Sequence, residues 1–122
     1  MKLLKKVAGF VGIGACLWAS VAVADTARIT AFVTKTMVTG DSENGGCMAG
    51  LSADPSNSLP ACGRWWVSFS CDGTYTEPVR ALRMLDQAQL ALATGMRVRV
   101  EVTDSKMHDG FCVASEISLL SE

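Results

Sequence analysis

The sequence predicts a small, mainly β domain with one α-helix. Three observations lead to this prediction. Apolar and polar residues alternate over several segments, residues 76–94 instead carry apolar side chains at helical spacing, and a glycine separates that segment from the next alternating run. Alternation is typical of a strand with one buried face, and spacing of three or four residues is typical of an amphipathic helix. We therefore expect a sheet with a single helix packed against it.

The N-terminal residues predict a secretory signal peptide. Lysines precede the apolar run VAGFVGIGACLWASVAVA, which ends in an Ala-Val-Ala cleavage site before Asp25. A transmembrane anchor is one alternative, because the run approaches the length that spans a bilayer, and lipid attachment at Cys16 is another. The cleavage site favours the signal peptide. We therefore assign residues 1–24 to the signal and residues 25–122 to an exported domain with no membrane span, either periplasmic or secreted.

The charge of the exported domain excludes one large class of function. Its 98 residues contain 8 lysines and arginines against 12 aspartates and glutamates, a net charge of −4. A mildly acidic domain without a basic stripe lacks the surface that neutralises phosphates, so we expect no nucleic-acid partner. A chain of this length forms one domain with a modest core, and such a core gains from covalent cross-links.

The exported domain keeps four cysteines, which are Cys47, Cys62, Cys71 and Cys112. An even number of cysteines in an exported domain predicts two disulfides. Zinc binding is the alternative, but zinc ligands usually come in close pairs, and this chain has no Cys-x-x-Cys and a single histidine, His108. No metal or cofactor is expected. Four cysteines allow three pairings, and the spacing leaves the choice open, including a Cys47–Cys62 bond that would close a loop on itself.

The first half of the domain predicts two strands joined by a long loop. Residues 27–38 place Ile29, Ala31 and Val33 on one face of an extended segment. Residues 39–63 are rich in glycine, serine, asparagine and proline and predict a loop, with room for a short irregular strand. Cross-links are expected to hold this loop against the domain.

The next segment, residues 64–71, alternates and predicts a half-buried strand. Its inward face is predicted to carry Trp65, Val67, Phe69 and Cys71. Trp66 is then predicted to point outward, and residues 72–75 form a turn.

The helix is predicted to begin after Thr76 as its N-cap, with Pro78 in the first turn, and to end at Gly95. The predicted buried stripe consists of Ala81, Leu85, Ala88 and Leu92, widened by Leu82. Apolar residues on the opposite side, which are Met84, Leu90 and Ala91, favour contacts on both sides of the helix. Ordinary scatter of exposed apolar residues is the alternative.

Two further strands complete the fold, at residues 96–104 and 111–120, with a turn at 105–110. Their predicted inward residues are Met96, Val98, Val100 and Val102 in the former and Phe111, Val113, Ile117 and Leu119 in the latter, with Cys112 facing the other way. A helix between strands 3 and 4 of a small five-stranded barrel is the OB-fold arrangement. We therefore predict an OB-fold-like barrel whose remaining strand lies in or near the long loop.

The helix-to-strand passage resembles that of the subtilase cytotoxin B subunit family, which belongs with the pertussis-like toxin B subunits. The matching residues are Leu85, Asp86, Gln87, Ala88, Thr94, Gly95, Val98, Arg99, Val100 and Val102. The order of elements, the exported N-terminus and the positions of Cys47 and Cys71 also match. The resemblance implies a non-catalytic OB domain that binds glycans and assembles as a homopentamer around a pore lined by the helices. It implies a separate A subunit for the enzymatic step.

The resemblance also bears on individual residues. It implies a Cys47–Cys71 disulfide, which leaves Cys62 to pair with Cys112. The family carries a serine that binds sialic acid just ahead of the first strand, and this chain has Asp25 at that position.

The candidate binding residues are Trp66, Tyr75, Asp25, Arg97 and Arg99. An outward tryptophan suits stacking on a sugar ring, with cover by the long loop as the alternative. The arginines suit a carboxylate or a neighbouring subunit, with a solvated face balanced by Glu101 as the alternative.

No catalytic motif stands out: the chain has no G-x-S-x-G, no H-E-x-x-H and no glycine-rich phosphate loop. His108 and Asp109 form a conceivable acid–base pair, but their turn predicts a solvated loop. We therefore expect a binding module and no enzyme. The alternative to the toxin-like module is a monomeric periplasmic OB domain that binds a small ligand or an envelope protein.

Overall fold

The computed structural model describes Gly14 and residues 25–121. Its elements in chain order are β1 (Thr26–Val38), β2 (Cys47–Leu51), β3 (Trp66–Ser68), α1 (Pro78–Thr94), β4 (Arg97–His108) and β5 (Phe111–Leu119). The predicted signal peptide, apart from Gly14, lies outside the described residues. In the part of the chain that is described, no helix has the length and apolar character needed to cross a membrane.

The strands close into a barrel in the order β1-β2-β3-β5-β4, and β1 pairs with β4 to complete it. All neighbouring strands are antiparallel except β3 and β5, which pair in parallel at Ser68 and Val113. The helix lies in the sequence between β3 and β4. This confirms the predicted fold class, a mainly β barrel of five strands with the helix between the third and the fourth.

The fifth strand lies within the predicted long loop, as β2. Its inward residues Cys47, Ala49 and Leu51 join the core, but Met48 on the other face is equally buried. A strand covered on both faces shows no alternation, so the sequence pattern indicates only a loop rich in small residues. Pairing with β1 and β3 defines this strand.

The hairpin between β4 and β5 is tighter than predicted. The predicted turn at 105–110 is wrong, because β4 continues through a register shift to His108. Only Asp109 and Gly110 form the turn, and both have positive φ, of 52° and 86°. A two-residue hairpin loop of this kind favours positive φ at both positions. The prediction that Cys112 faces away from the core is also wrong, since its side chain is fully buried.

The helix buries Ala81, Leu85 and Ala88 as predicted, but the rest of its buried stripe differs from the prediction. It begins at Pro78 with Glu77 at the N-cap position, and Gly95 with φ 70° ends it as predicted. The buried residues are Ala81, Met84, Leu85, Ala88 and Ala91. Leu82 and Leu92, predicted to be inward, are 50% and 42% exposed. Met84 and Ala91, predicted to lie on the opposite side, are instead part of the buried stripe, which is therefore rotated toward them.

Two disulfides cross-link the domain, Cys47–Cys71 and Cys62–Cys112, with Cα–Cα distances of 5.6 and 5.2 Å. This confirms the prediction of two disulfides and the pairing that the resemblance implied. The first bond joins β2 to the chain after β3, and the second joins the long loop to β5. Disulfides are typical of proteins that work outside the cytoplasm.

Candidate functional site

Two adjacent tryptophans border an open groove of about 420 Å³ on the barrel wall. Its lining residues come from the ends of β1, β2 and β3 and are Thr34, Lys35, Gly50, Leu51, Ser52, Trp65 and Trp66. Aromatic rings, hydroxyl groups and one amine therefore share a single concave surface. Such a combination of apolar faces and a few polar groups is typical of small-molecule sites.

The backbone of three strands creates the space of this groove. The β1–β2 register shifts between Val33 and Lys35, and Gly50 pairs with Trp66 across β2 and β3. A Cβ at Gly50 would lie 3.1 Å from Thr34 Oγ1 and 3.6 Å from Trp66 Cη2. The absence of a side chain at Gly50 therefore leaves room at the base of the groove, and any larger residue there would reduce it.

Trp65 departs from the predicted alternation. It has φ 68° and is 46% exposed, so the prediction that it faces the core is wrong. A left-handed residue immediately before β3 changes the direction of its side chain, while Val67 and Phe69 remain fully buried as predicted. The Trp65 carbonyl still accepts a hydrogen bond from Leu51 N at 2.8 Å. The indole is therefore directed outward beside a backbone that the sheet holds.

A buried carboxylate lies behind this tryptophan. The Asp54 side chain is 3% exposed and accepts hydrogen bonds from Ser56 N (2.9 Å), Ser56 Oγ (2.8 Å) and Arg64 Nε (3.0 Å). Burial by itself raises the pKa of Asp54, but the hydrogen bonds from Ser56, Arg64 and the Trp65 backbone outweigh it and hold the pKa below its ordinary value of 3.8. Asp54 is therefore charged at neutral pH.

Sequence reasoning did not identify Asp54. The available signal was the run Asp-Pro-Ser at 54–56, in which an aspartate precedes a proline at the start of a short helical turn. That signal predicts a cap for residues 55–57. It carries no information about Arg64, which the fold brings to the same carboxylate.

Tyr75 lies at a second, smaller hollow of about 190 Å³ near the start of α1. Its ring is 41% exposed and packs edge-on against His108, with ring centroids 5.0 Å apart. Arg80 and Lys106 bring positive charge to this hollow, and Glu77 brings negative charge. The structure therefore separates Tyr75 from Trp66, since the two residues line different surfaces.

Asp25 is held at the edge of the sheet. Its backbone N–H donates to Asp104 Oδ1 at 3.0 Å, and Asp104 N donates to the Asp25 carbonyl at 3.2 Å. The next residue, Thr26, pairs with Thr103, which lines the hollow beside Tyr75. Asp25 is therefore close in the sheet to that hollow, and it does not line the tryptophan groove.

Arg97 and Arg99 are exposed on the outer face of β4 and line neither surface. Glu101, expected to balance them, instead forms an ion pair with Arg28 at 3.1 Å. The five predicted binding residues therefore do not form one site. Among them, only Trp66 lines the groove.

His108 belongs to a partly buried polar cluster, and the prediction of a solvated loop is wrong. Its Nε2 lies 2.9 Å from Ser70 Oγ and 3.7 Å from Asp72 Oδ1, and its side chain is 11% exposed. Ser70 Oγ donates to Asp72 Oδ1 at 3.1 Å and accepts from Tyr75 N at 3.0 Å. Asp109, its expected partner, instead accepts from Asn44 N at 2.8 Å.

This cluster does not have the geometry of a catalytic triad. A triad needs the serine and the carboxylate on opposite nitrogens of the imidazole, whereas Ser70 and Asp72 approach the same Nε2. Ser70 Oγ has one proton and lies within hydrogen-bonding distance of both His108 Nε2 and Asp72 Oδ1. Ser70 is also fully buried. The cluster therefore joins the turn after β3 to the end of β4 and does not expose the Ser70 hydroxyl to solvent.

Asp72 is charged within this cluster. Burial raises its pKa, but hydrogen bonds from Thr74 and Ser70 and the nearby His108 together hold the pKa below its ordinary value of 3.8. Elsewhere in residues 25–121, no group of three histidine, cysteine, aspartate or glutamate side chains is arranged to hold a metal ion.

The tryptophan groove is thus the candidate site, since it offers two indoles together with hydroxyl groups and an amine. Compared with it, the hollow beside Tyr75 is smaller and contributes one aromatic ring. No family model, curated protein or solved structure matches this chain.

Proposed function

We propose that this chain is an exported, non-catalytic module that binds saccharides in the tryptophan groove. The observation that supports this most directly is the pair Trp65 and Trp66 beside the space left by Gly50. A sugar ring has one face of C–H groups that stacks on an indole, and its hydroxyls need hydrogen-bonding partners. Thr34, Ser52 and Lys35 supply polar groups at the same groove.

We expect the groove to bind a single sugar weakly. A ligand of drug-like efficiency gains about 0.3 kcal/mol per non-hydrogen atom, so a single hexose of about 12 such atoms is expected to bind with a Kd on the order of 1 mM. Binding this weak becomes useful when several copies act together, because linked sites raise the effective affinity. A single-site measurement therefore has to work at millimolar ligand concentrations.

The test is a saccharide panel followed by substitution of the aromatic residues. The panel contains methyl glycosides of galactose, glucose and N-acetylglucosamine together with glucuronic and sialic acids, titrated by protein-observed NMR. We expect Trp65→Ala to weaken binding of the best panel member about tenfold or more, a loss of about 1.4 kcal/mol. Trp65→Phe should lose less, because it keeps a ring.

Tyr75→Ala is the matched control, since Tyr75 is a similarly exposed aromatic residue outside the groove. It should leave affinity for the same saccharide unchanged. If Tyr75→Ala abolishes binding while Trp65→Ala does not, the site lies at the start of α1 and the proposed groove is wrong. If no panel member binds at 20-fold above the expected Kd, on the order of 20 mM, the saccharide function itself is wrong.

A second proposal concerns assembly: the module forms a homopentamer of the toxin B-subunit type that docks a separate A subunit. It is favoured by the outward face of α1, where Val79, Leu82 and Leu90 are each about half exposed. These positions follow one helical stripe, opposite the residues that pack on the barrel. Exposed apolar side chains in such a stripe are typical of an interaction surface.

Light scattering on a sizing column tests this assembly. We expect the oxidised protein to have five times the monomer mass, and Leu82→Asp to reduce that mass to the monomer because it places a charge in an apolar contact. Asn57→Asp is the control, since it changes an exposed residue outside α1. This variant should remain pentameric. A monomer at high concentration would instead support the alternative function, a monomeric periplasmic module that binds a small ligand or an envelope protein.

A further inference from the structure

We infer that Asp54 is a positioning residue that holds the Arg64 guanidinium beside Trp65 and so presents the indole to the groove. The functional half of this inference rests on the proposed saccharide site. The structural half stands on the contacts of Arg64 with the Asp54 carboxylate and with the Trp65 ring.

The backbone of Trp65 requires such support. A bulky residue at φ 68° is a genuine outlier, and conformations of this kind persist only where the surrounding structure determines them. The Trp65 carbonyl accepts a hydrogen bond from Leu51 N, which ties this peptide unit to the sheet edge. The preceding residue, Arg64, is tied in turn to the Asp54 carboxylate.

The carboxylate of Asp54 is itself fixed from two directions. Its Oδ1 accepts from the backbone and the hydroxyl of Ser56, and its Oδ2 accepts from Arg64 Nε. The Arg64 guanidinium then lies 5.8 Å from the centroid of the Trp65 ring, within the range of a cation–π contact. Asp54 therefore orients the cation beside the Trp65 ring.

A purely structural role is the competing explanation, because Asp54 also caps the short helix Pro55–Asn57. The two roles differ in what they predict for the indole. If Asp54 serves only the cap, its removal lowers stability and leaves the environment of Trp65 unchanged in the protein that remains folded. If it positions Trp65, its removal changes that environment directly.

Fluorine NMR separates these roles without any ligand. In a Trp18→Phe/Trp66→Phe background of the full chain, labelled with 5-fluorotryptophan, Trp65 is the only indole. We expect Asp54→Asn to move the fluorine chemical shift of Trp65 at least halfway to its value in the urea-unfolded protein. Asp86→Asn, on the exposed face of α1, should leave this chemical shift unchanged. A resonance unchanged by Asp54→Asn in folded protein overturns the inference.

Ser56→Ala is the second variant, in case Asp54→Asn does not fold. It removes one of the hydrogen bonds that fix the carboxylate and keeps its charge, so the resonance should move in the same direction by a smaller amount. If Ser56→Ala leaves the resonance in place and Asp54→Asn is unfolded, the inference is likewise overturned, because the carboxylate then has no measurable control over the indole.

Binding of methyl β-galactoside and methyl β-glucoside tests the functional half. With both tryptophans present, we expect Asp54→Asn to lower the affinity for whichever glycoside binds by about fivefold. The reason is that an indole that is no longer held in place must be ordered when the sugar binds. In a Trp65→Ala background the same change should have no further effect. A moved resonance, with no member of the saccharide panel bound by any variant, supports the positioning role and refutes the saccharide function. An equal loss in the Trp65→Ala background overturns the claim that Asp54 acts through Trp65.

Discussion

Replacing Cys62 and Cys112 by alanine is expected to lower the free energy of unfolding by about 4 kcal/mol. This bond joins residues separated by 50 positions, whereas Cys47–Cys71 joins residues separated by 24. The entropy that a cross-link removes from the unfolded chain grows with the logarithm of the loop length, so loss of the shorter link should cost less, about 3.5 kcal/mol. Urea denaturation of the two double variants measures both values.

Removal of the Cys62–Cys112 bond is also expected to affect the candidate site. Cys62 and Leu59 are buried in the core at the end of the segment that carries Asp54. Opening the Cys62–Cys112 bond should therefore release this segment from β5 and weaken saccharide binding along with stability. The Cys47/Cys71 variant is the comparison, since its bond lies away from that segment. If the two double variants have equal stability and equal affinity, loop closure is not the main contribution of these bonds.

Gly45→Ala is the second large effect, with an expected loss of about 3 kcal/mol in the free energy of unfolding. Gly45 has φ 79°, which costs an alanine about 1–2 kcal/mol. A Cβ at this position would also lie 2.5 Å from Ser68 Oγ and 2.6 Å from His108 Cδ2. Both neighbours are held by hydrogen bonds, Ser68 Oγ to the Asn44 carbonyl and His108 to Ser70, so neither moves without cost.

Gly95→Ala is the matched control for this prediction. Gly95 has a similar φ of 70°, but a Cβ there would have no neighbour within 4 Å. Gly95→Ala should therefore lower the free energy of unfolding by the backbone cost alone, about 1 kcal/mol. Thermal or urea unfolding of the two variants gives the difference. Equal losses would mean that the space around Ser68 and His108 adjusts freely, contrary to the contacts described.

The polar cluster around His108 and the contacts of Asp54 serve different parts of the molecule. Ser70, Asp72 and His108 connect the turn after β3 to the end of β4, and Tyr75 packs on His108. The cluster thereby fixes the approach to α1, while Asp54 holds Arg64 beside Trp65 at the groove. We interpret the first as part of the architecture and the second as part of the proposed site.

The sequence by itself determined the main elements of this protein. The alternation in 27–38 and 96–104 and the helical spacing before Gly95 predict their elements because each segment has one buried and one exposed face, a property that local pattern records directly. The even cysteine count predicts two disulfides for a similar reason, since it depends on chemistry and compartment alone. Trp66 was also identified as a candidate from its place in such an alternating segment.

Only the tertiary structure decided the direction of Trp65, the position of His108 and the stripe that α1 buries. Alternation predicts a face only while the backbone remains extended, and one left-handed residue at Trp65 reverses the prediction. The neighbouring Arg64 meets Asp54, 10 residues earlier, only after the loop folds back. The helix stripe likewise depends on the side of α1 that packs on the barrel, which buries Met84 and Ala91 and leaves Leu82 and Leu92 exposed. Each of these features is set by contacts between segments distant in the chain, which a local pattern does not contain.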